Sequence, residues 1–506
     1  MAVFKTQTIA LIGLVGELIT VEVDISDGLP TFTLLGLPDA ALNESRERVR
    51  TAISNSNLKL SNRKTTVSLS PAWLPKSGSG FDLSIAIALL GAQGNLAKVD
   101  LSQSIFLGEL GLEGTVKPTK GVLAAIISAK RFGVERAFIP KDNFDETRYI
   151  TGIEIIPINS LSELIDFFIT GHFTKLEFAE VETPTALPDM SEVMGQEMSR
   201  KLIEISAIGG HNLLLIGPPG TGKTMLAERL PTILPELDLD DALEVAAIHS
   251  IAGINQRSAN YLNVPPFVAP HHTTTPVAMI GGGSKGIKPG AISLAHKGIL
   301  FIDEAPECAR GVLDSLRQPL ESGEVLISRA VGSIKFPARF QLVLAANPCP
   351  CGKYSGRGLA CICTQLAIRR YLQKISGPLL DRIDLRVFVE TPSRIELASQ
   401  EPGESSASIR ERVKRARQIS AERFKNEPWS LNSQINADAL RFKYRAERKA
   451  MAFLHSEIDN ERLSARGFHR VLRVAWSFAD ANQHQIPDEE DVVLAYRARN
   501  GADFLK

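Results

Sequence analysis

The octapeptide Gly217-Pro218-Pro219-Gly220-Thr221-Gly222-Lys223-Thr224 constrains this chain more than any other stretch. It follows the apolar run Leu213–Ile216 and opens a helical pattern, the strand–turn–helix setting in which a Gly-rich match becomes a Walker A loop. Glycines there let backbone N–H groups converge on phosphate oxygens with no Cβ in the way. Lys223 supplies a point charge for the β- and γ-phosphates, and Thr224 a hydroxyl for Mg²⁺. The expected ligands are ATP and Mg²⁺, and the expected surroundings a parallel α/β sheet. The bland alternative, a chance Gly/Pro turn, does not account for a full match between the right elements.

Downstream, Gly298-Ile299-Leu300-Phe301-Ile302-Asp303-Glu304 is an apolar strand ending in two carboxylates. Asp303 is expected to hold Mg²⁺ through water, and Glu304 to polarise the water that attacks the γ-phosphate. Such a pair is common on surface turns and gains its meaning from the Walker A loop. Asn347 follows the strand Gln341–Ala346, where its amide could orient the attacking water; an Asn-Pro turn is the equal alternative. Arg382, in Leu379-Leu380-Asp381-Arg382-Ile383-Asp384, is a candidate arginine finger for a neighbouring subunit. Its rival role is a local ion pair with Asp381 or Asp384.

The length of 506 residues suggests about three domains. Strand-like and helical stretches alternate through 1–172, a Pro-rich acidic stretch marks a linker within 173–192, and α/β alternation resumes over 193–392. Residues 393–506 read as all helical, with helices expected at Arg410–Phe424, Ala437–Ser456, Ser464–Asn482 and Glu489–Arg499. The longest apolar run, Leu83–Ala92, is about half of what a membrane span needs, and no signal-peptide cleavage pattern follows the N-terminal strand. A cytoplasmic protein with no membrane partner is expected. Lys+Arg and Asp+Glu number 57 each, so any nucleic-acid binding has to come from local basic sites.

Four of the five cysteines form two Cys-x-Cys pairs, Cys349/Cys351 and Cys361/Cys363. Four thiolates this close suit tetrahedral Zn²⁺. Reduced, packed thiols are the alternative, because familiar zinc motifs use the wider Cys-x₂-Cys spacing.

The segment from Gly217 to Asp384 resembles the AAA+ magnesium-chelatase-like family. The marks are Pro270-His271-His272-Thr273, Gly281-Gly282-Gly283, Pro289 to His296, Leu316-Arg317-Gln318-Pro319-Leu320-Glu321 and Ser376 to Arg382. Gly36-Leu37-Pro38-Asp39, Glu44 to Arg50 and Phe81-Asp82-Leu83 are similar to its ComM (YifB) branch, and the resemblance covers essentially the whole chain. Ala291 and Ala305 depart from the family pattern, which has Glu and Leu there.

The resemblance implies a hexameric, ATP-driven DNA helicase that promotes branch migration on single-stranded or branched DNA during natural transformation, with recombination proteins as further partners. It implies an insertion over Ala269–Ala295 with Lys285 and Lys288 near DNA phosphates, and a hairpin over Val325–Ile334 with Arg329 gripping DNA. Solvated surface charge is the alternative for all three. In the helical domain Arg466 takes the sensor-2 position that contacts the γ-phosphate, with Arg470 as rival.

Residues from about 60 to 140 resemble the proteolytic domain of Lon, with Gly80 at the Ser position and Leu123 at the Lys position. Neither side chain can serve as nucleophile or base. A shifted register using Lys76, Ser77 or Ser79 is the lesser reading. The rival functions are a magnesium-chelatase subunit driving metal insertion and, more distantly, an ATP-dependent protease.

Overall fold

The computed structural model describes residues 3–36, 40–74, 76, 80–96, 99–172, 176–178, 187–254, 262–283, 287–329, 332–354, 360–393, 396 and 403–500. Near the N-terminus a seven-stranded mixed sheet runs in the order Phe32–Leu35, Lys64–Ser70, Val15–Ser26, Phe4–Ile12, Ser104–Phe106, Arg136–Pro140, Glu154–Ile158. The long apolar run becomes the helix Asp82–Ala92, buried on every side in the core of this domain. Asp82 opens that helix and is clamped by Arg48, whose Nε lies 2.9 Å from Oδ2. Burial pushes the Asp82 carboxyl up, and the Arg48 guanidinium opposes that shift. The Glu44–Arg50 motif therefore ties two helices together.

A cleft of about 450 Å³ is lined by Leu11, Gly80, Phe81 and Gly121, so it takes in the position that the Lon resemblance gave to the Ser. Leu123 is buried in this domain, and Lys76 Nζ donates to the carbonyl of Pro71. Ser77 and Ser79 lie outside the described residues.

The central sheet has five strands, all parallel: Phe267–Val268, Ile299–Ile302, Gln341–Ala346, Leu213–Ile216 and Leu385–Phe388, in that spatial order. Helices cover both faces, as a parallel sheet requires, and the four-residue run Leu213–Ile216 is buried throughout. Asp189 ties the entry of this domain to the helical C-terminal part. Its carboxylate accepts from the backbone N–H of Ser191 and of Ser406, and Met190 is fully buried.

The helical part comprises Ser406–Arg423, Ala437–Phe442, Arg448–Asp459, Ala465–Asn482 and Glu489–Asn500. The helix expected over Ala437–Ser456 is broken between Phe442 and Arg448. Trp476 Nε1 donates to the Tyr444 carbonyl at 3.0 Å, and Glu447 N donates to Pro487 O at 2.9 Å, so tertiary bonds take backbone groups from the helix. Among the described residues no helix is long and apolar enough to cross a membrane.

Candidate active site

Lys223 opens the helix Lys223–Ile233 behind Gly222, whose φ of 88° is left-handed and favours a residue without Cβ. Lys223 Nζ donates to the carbonyls of Gly217 and Pro218 at 2.7 and 2.9 Å and to Asn347 Oδ1 at 3.2 Å. Burial lowers its pKa, against the opposing charges of Asp303 and Glu304. Gln196, a residue the sequence reading passed over, holds the loop from below. Its Nε2 donates to the carbonyls of Thr221 and Glu390, each at 2.8 Å.

Thr224 Oγ1 donates to Asp303 Oδ2 at 2.9 Å, so the hydroxyl and the carboxylate suited to Mg²⁺ face each other. Asp303 Oδ1 accepts from the Glu304 N–H at 2.8 Å. Glu304 has a φ of 48°, a left-handed conformation that costs about 1–3 kcal/mol for a residue with a Cβ and that recurs at functional sites. His272 Nδ1 lies 3.5 Å from Glu304 Oε2, a second contact that sequence reasoning missed. The signal was the Pro270–Thr273 motif, which follows the strand beside Ile299–Ile302. Lys223, Thr224, Asp303, Glu304 and Asn347 thus converge at the carboxyl ends of three adjacent parallel strands, the usual ligand crevice of such sheets.

Arg382 lies elsewhere. Leu385 is in register with Leu213, so Arg382 precedes its strand at the amino end of the sheet, whereas Lys223 follows its strand at the carboxyl end. Four residues of strand between them span about 13 Å. Arg382 Nη1 donates to Pro378 O at 2.6 Å and Nη2 pairs with the exposed Glu321. Arg466 is at the same end, 3.5 Å from Asp381 and largely exposed. Arg470 pairs instead with the buried Asp384; burial pushes that carboxyl up, but Arg470 and then His211 bring it below the usual range. Together Arg382, Arg466, His469, Arg470 and Arg473 line a cavity of about 230 Å³.

Of the basic residues expected near DNA, Lys285 lies outside the described residues, and Lys288 is exposed in the two-stranded ribbon Gly281–Gly282/Lys288–Pro289. Arg329 ends the first strand of the hairpin Glu324–Arg329/Gly332–Pro337, paired with Gly332.

The four cysteines come together. Sγ of Cys349 is 3.4 Å from that of Cys351 and 3.6 Å from that of Cys361, and all four sulfurs lie within 4.8 Å. Tetrahedral Zn–S bonds of about 2.3 Å put sulfurs about 3.8 Å apart, so the set fits the ion. Backbone N–H groups of Lys353 and Ile362 bring Cys351 down to about 6, while desolvation first and neighbouring sulfurs second push Cys361 up to about 12. A central cation would favour thiolate at each.

The sheet, the loop and the paired acids define a P-loop ATPase of the AAA+ class. Family models match along the chain: subunit ChlI of Mg-chelatase over 21–143, magnesium chelatase subunit ChlI over 189–397, and the ChlI C-terminal region over 403–499. The protein YifB of Escherichia coli is 40% identical over 502 residues, spanning 98% of this chain and 97% of its own. Competence protein ComM of Haemophilus influenzae is 40% identical over 487 residues, 94% and 93% of the two chains. The magnesium-chelatase 38 kDa subunit of Cereibacter sphaeroides is 29% identical over 174 residues, only 31% of this chain and 52% of that one. The chain belongs to the ComM/YifB family of magnesium-chelatase-like AAA+ proteins.

Proposed function

We propose that this protein is a hexameric ring ATPase that translocates on DNA and promotes branch migration in homologous recombination during natural transformation. The observation that carries the reading is the division of the ATP machinery between the two ends of the central parallel sheet. Lys223 and Glu304 sit at the carboxyl end of the central sheet and Arg382 at the amino end. Arg382 cannot serve the phosphate held by its own chain, so it serves a neighbour's, and a ring supplies every site with one. Arg466, beside Asp381 on the same face, accompanies it.

Within a site, Lys223 gives up its loop carbonyls for the β- and γ-phosphates. Asn347 orients the attacking water and Glu304 takes its proton. Thr224 and Asp303 would hold Mg²⁺, which would supply charge neutralisation on the phosphates. Lys285, Lys288 and Arg329 are the residues assigned to track backbone phosphates of single-stranded or branched DNA. Cys349, Cys351, Cys361 and Cys363 would hold one Zn²⁺, which would staple the loop that leaves Asn347. The name of the Haemophilus relative supports the competence setting, in which recombination proteins are the expected partners.

A second reading, a chelatase-type subunit driving metal insertion, is favoured by the names of the matching family models. The short match to the 38 kDa subunit counts against it. ATPase activity with and without DNA, measured with particle mass and with movement of a synthetic four-way junction, tests the proposal. A ring that hydrolyses ATP yet moves no junction puts the chelatase-like reading first.

A further inference from the structure

Three elements meet at the pair Ile327–Ile334, which are partners across the hairpin Glu324–Arg329/Gly332–Pro337. The first is the hairpin itself, and Ile334 lies two residues from Gly332, the partner of Arg329. The second is the ribbon that carries Lys288. A Cβ on its Gly281 would lie 2.8 Å from Cδ1 of Ile327.

The third comes from the N-terminal domain. Its strands Phe4–Ile12 and Val15–Ser26 are joined by Gly13 and Leu14. Gly13 has a φ of +65°, and a Cβ there would lie 2.7 Å from Cγ2 of Ile334 and 3.2 Å from the carbonyl of Lys335. Leu14 packs into the ATPase core that contains Val325, Ile327 and Phe336.

The same domain is moored at a second place. Gly121 N donates to Ser250 O at 3.1 Å, and Glu146 shares a hydrogen bond with Ser250. Ser250 belongs to the helix Leu239–Ala252. That helix is tied to the segment before the Glu304 strand, through His249 and Leu294 O at 2.9 Å and through Glu244 and His296 at 3.0 Å. A domain held at two separated points cannot swing about either, so the position of its Gly13-Leu14 turn is set.

We propose that Gly13-Leu14 is a positioning element for the hairpin and ribbon, through which the N-terminal domain governs how the motor engages DNA. Leu14 acts through the ATPase core that contains Ile327, and Gly13 beside it meets Ile334. This rests on the DNA-motor reading above for its output, while the mechanical part stands on the contacts alone.

The test uses the full-length protein with Leu14→Ala and the conservative Leu14→Met. Amide hydrogen exchange is read over Ser333–Phe336, with the strand Ile299–Ile302 as internal reference. In Leu14→Ala the hairpin amides should exchange about tenfold faster while the reference strand keeps its rate. Basal ATPase should stay at the wild-type level and its stimulation by DNA should fall several-fold. Leu14→Met should restore both. Unchanged hairpin exchange in Leu14→Ala overturns the proposal, as does faster exchange with full DNA stimulation. If Leu14→Ala loosens Ile299–Ile302 as well, Ile334→Ala, which removes the Cγ2 that faces Gly13, makes the same test from the other side of the contact. A wild-type protein that DNA does not stimulate sinks the motor reading instead, and the exchange rates still decide the contact.

Discussion

The side-chain amide of Asn212 donates to the backbone carbonyl of Arg382 over 2.9 Å. Asn212 immediately precedes the strand Leu213–Ile216, so this bond fastens Arg382 to the end of the strand remote from Lys223. Mixing Arg382→Ala subunits with Lys223→Ala subunits should therefore recover part of the ATPase activity, since a mixed interface can combine an intact loop with an intact arginine. Each homogeneous variant should be slower than wild type by about 10³-fold or more. A mixture shown to co-assemble and still inactive would remove Arg382 from the trans role.

Lys223 and Glu304 should separate binding from chemistry. Lys223→Ala should lose both nucleotide affinity and turnover, because the ammonium holds phosphate in the ground state. Glu304→Gln should bind ATP as wild type does and turn over about 10²–10⁴-fold more slowly, having lost only a proton acceptor. A fluorescent nucleotide titration beside a phosphate-release assay checks both, and normal turnover by Glu304→Gln would refute the role given to it.

Metal analysis of protein purified without added metal should find one zinc per chain. Cys351→Ser should lose the ion and lower the melting temperature. A metal-free wild-type protein with unaltered melting and activity would leave the four sulfurs as a packing cluster.

Arg329→Ala should weaken DNA binding and uncouple strand movement, with basal ATPase largely intact. Replacing Lys285 and Lys288 with Ala should flatten the salt dependence, each lost phosphate contact removing roughly one unit from the log–log slope. Binding should be indifferent to sequence, since phosphate contacts position without reading bases. Titrations at several salt concentrations read out both effects.

His484 predicts a pH effect in the helical part. Its Nδ1 lies 2.8 Å from Asp491 Oδ2, and that hydrogen bond raises its pKa above the ordinary 6.5. The stabilisation is therefore fully present below pH 6.5 and fades as pH rises through the elevated value. The gap in melting temperature between wild type and His484→Gln should be wider at pH 6 than at pH 9. An equal gap at both would show that the pair contributes no charge-dependent stability.

Local order along the chain determined much of this protein. The Walker A loop, the strand Ile299–Ile302 ending in Asp303-Glu304, and the helices bearing the long apolar runs are written in contiguous residues, where spacing and type state their own geometry. Even the Cys-x-Cys pairs announced a cluster, though the 3.4–3.7 Å sulfur separations came only with the fold. What the tertiary structure decided depends on register and on residues far apart in the chain. Asn347 became a partner of Lys223 because Gln341–Ala346 pairs with Leu213–Ile216, and no local pattern names a strand's neighbour. Arg382 was assigned to the far end of the sheet by the Leu213–Leu385 register. The helix expected through Tyr444 broke because Trp476 and Pro487 compete for its backbone groups. His272 against Glu304 and Leu14 against the ATPase core join residues dozens to hundreds of positions apart. Such pairs form only when the core has closed, because burial of both partners, not the propensity of either, brings them together.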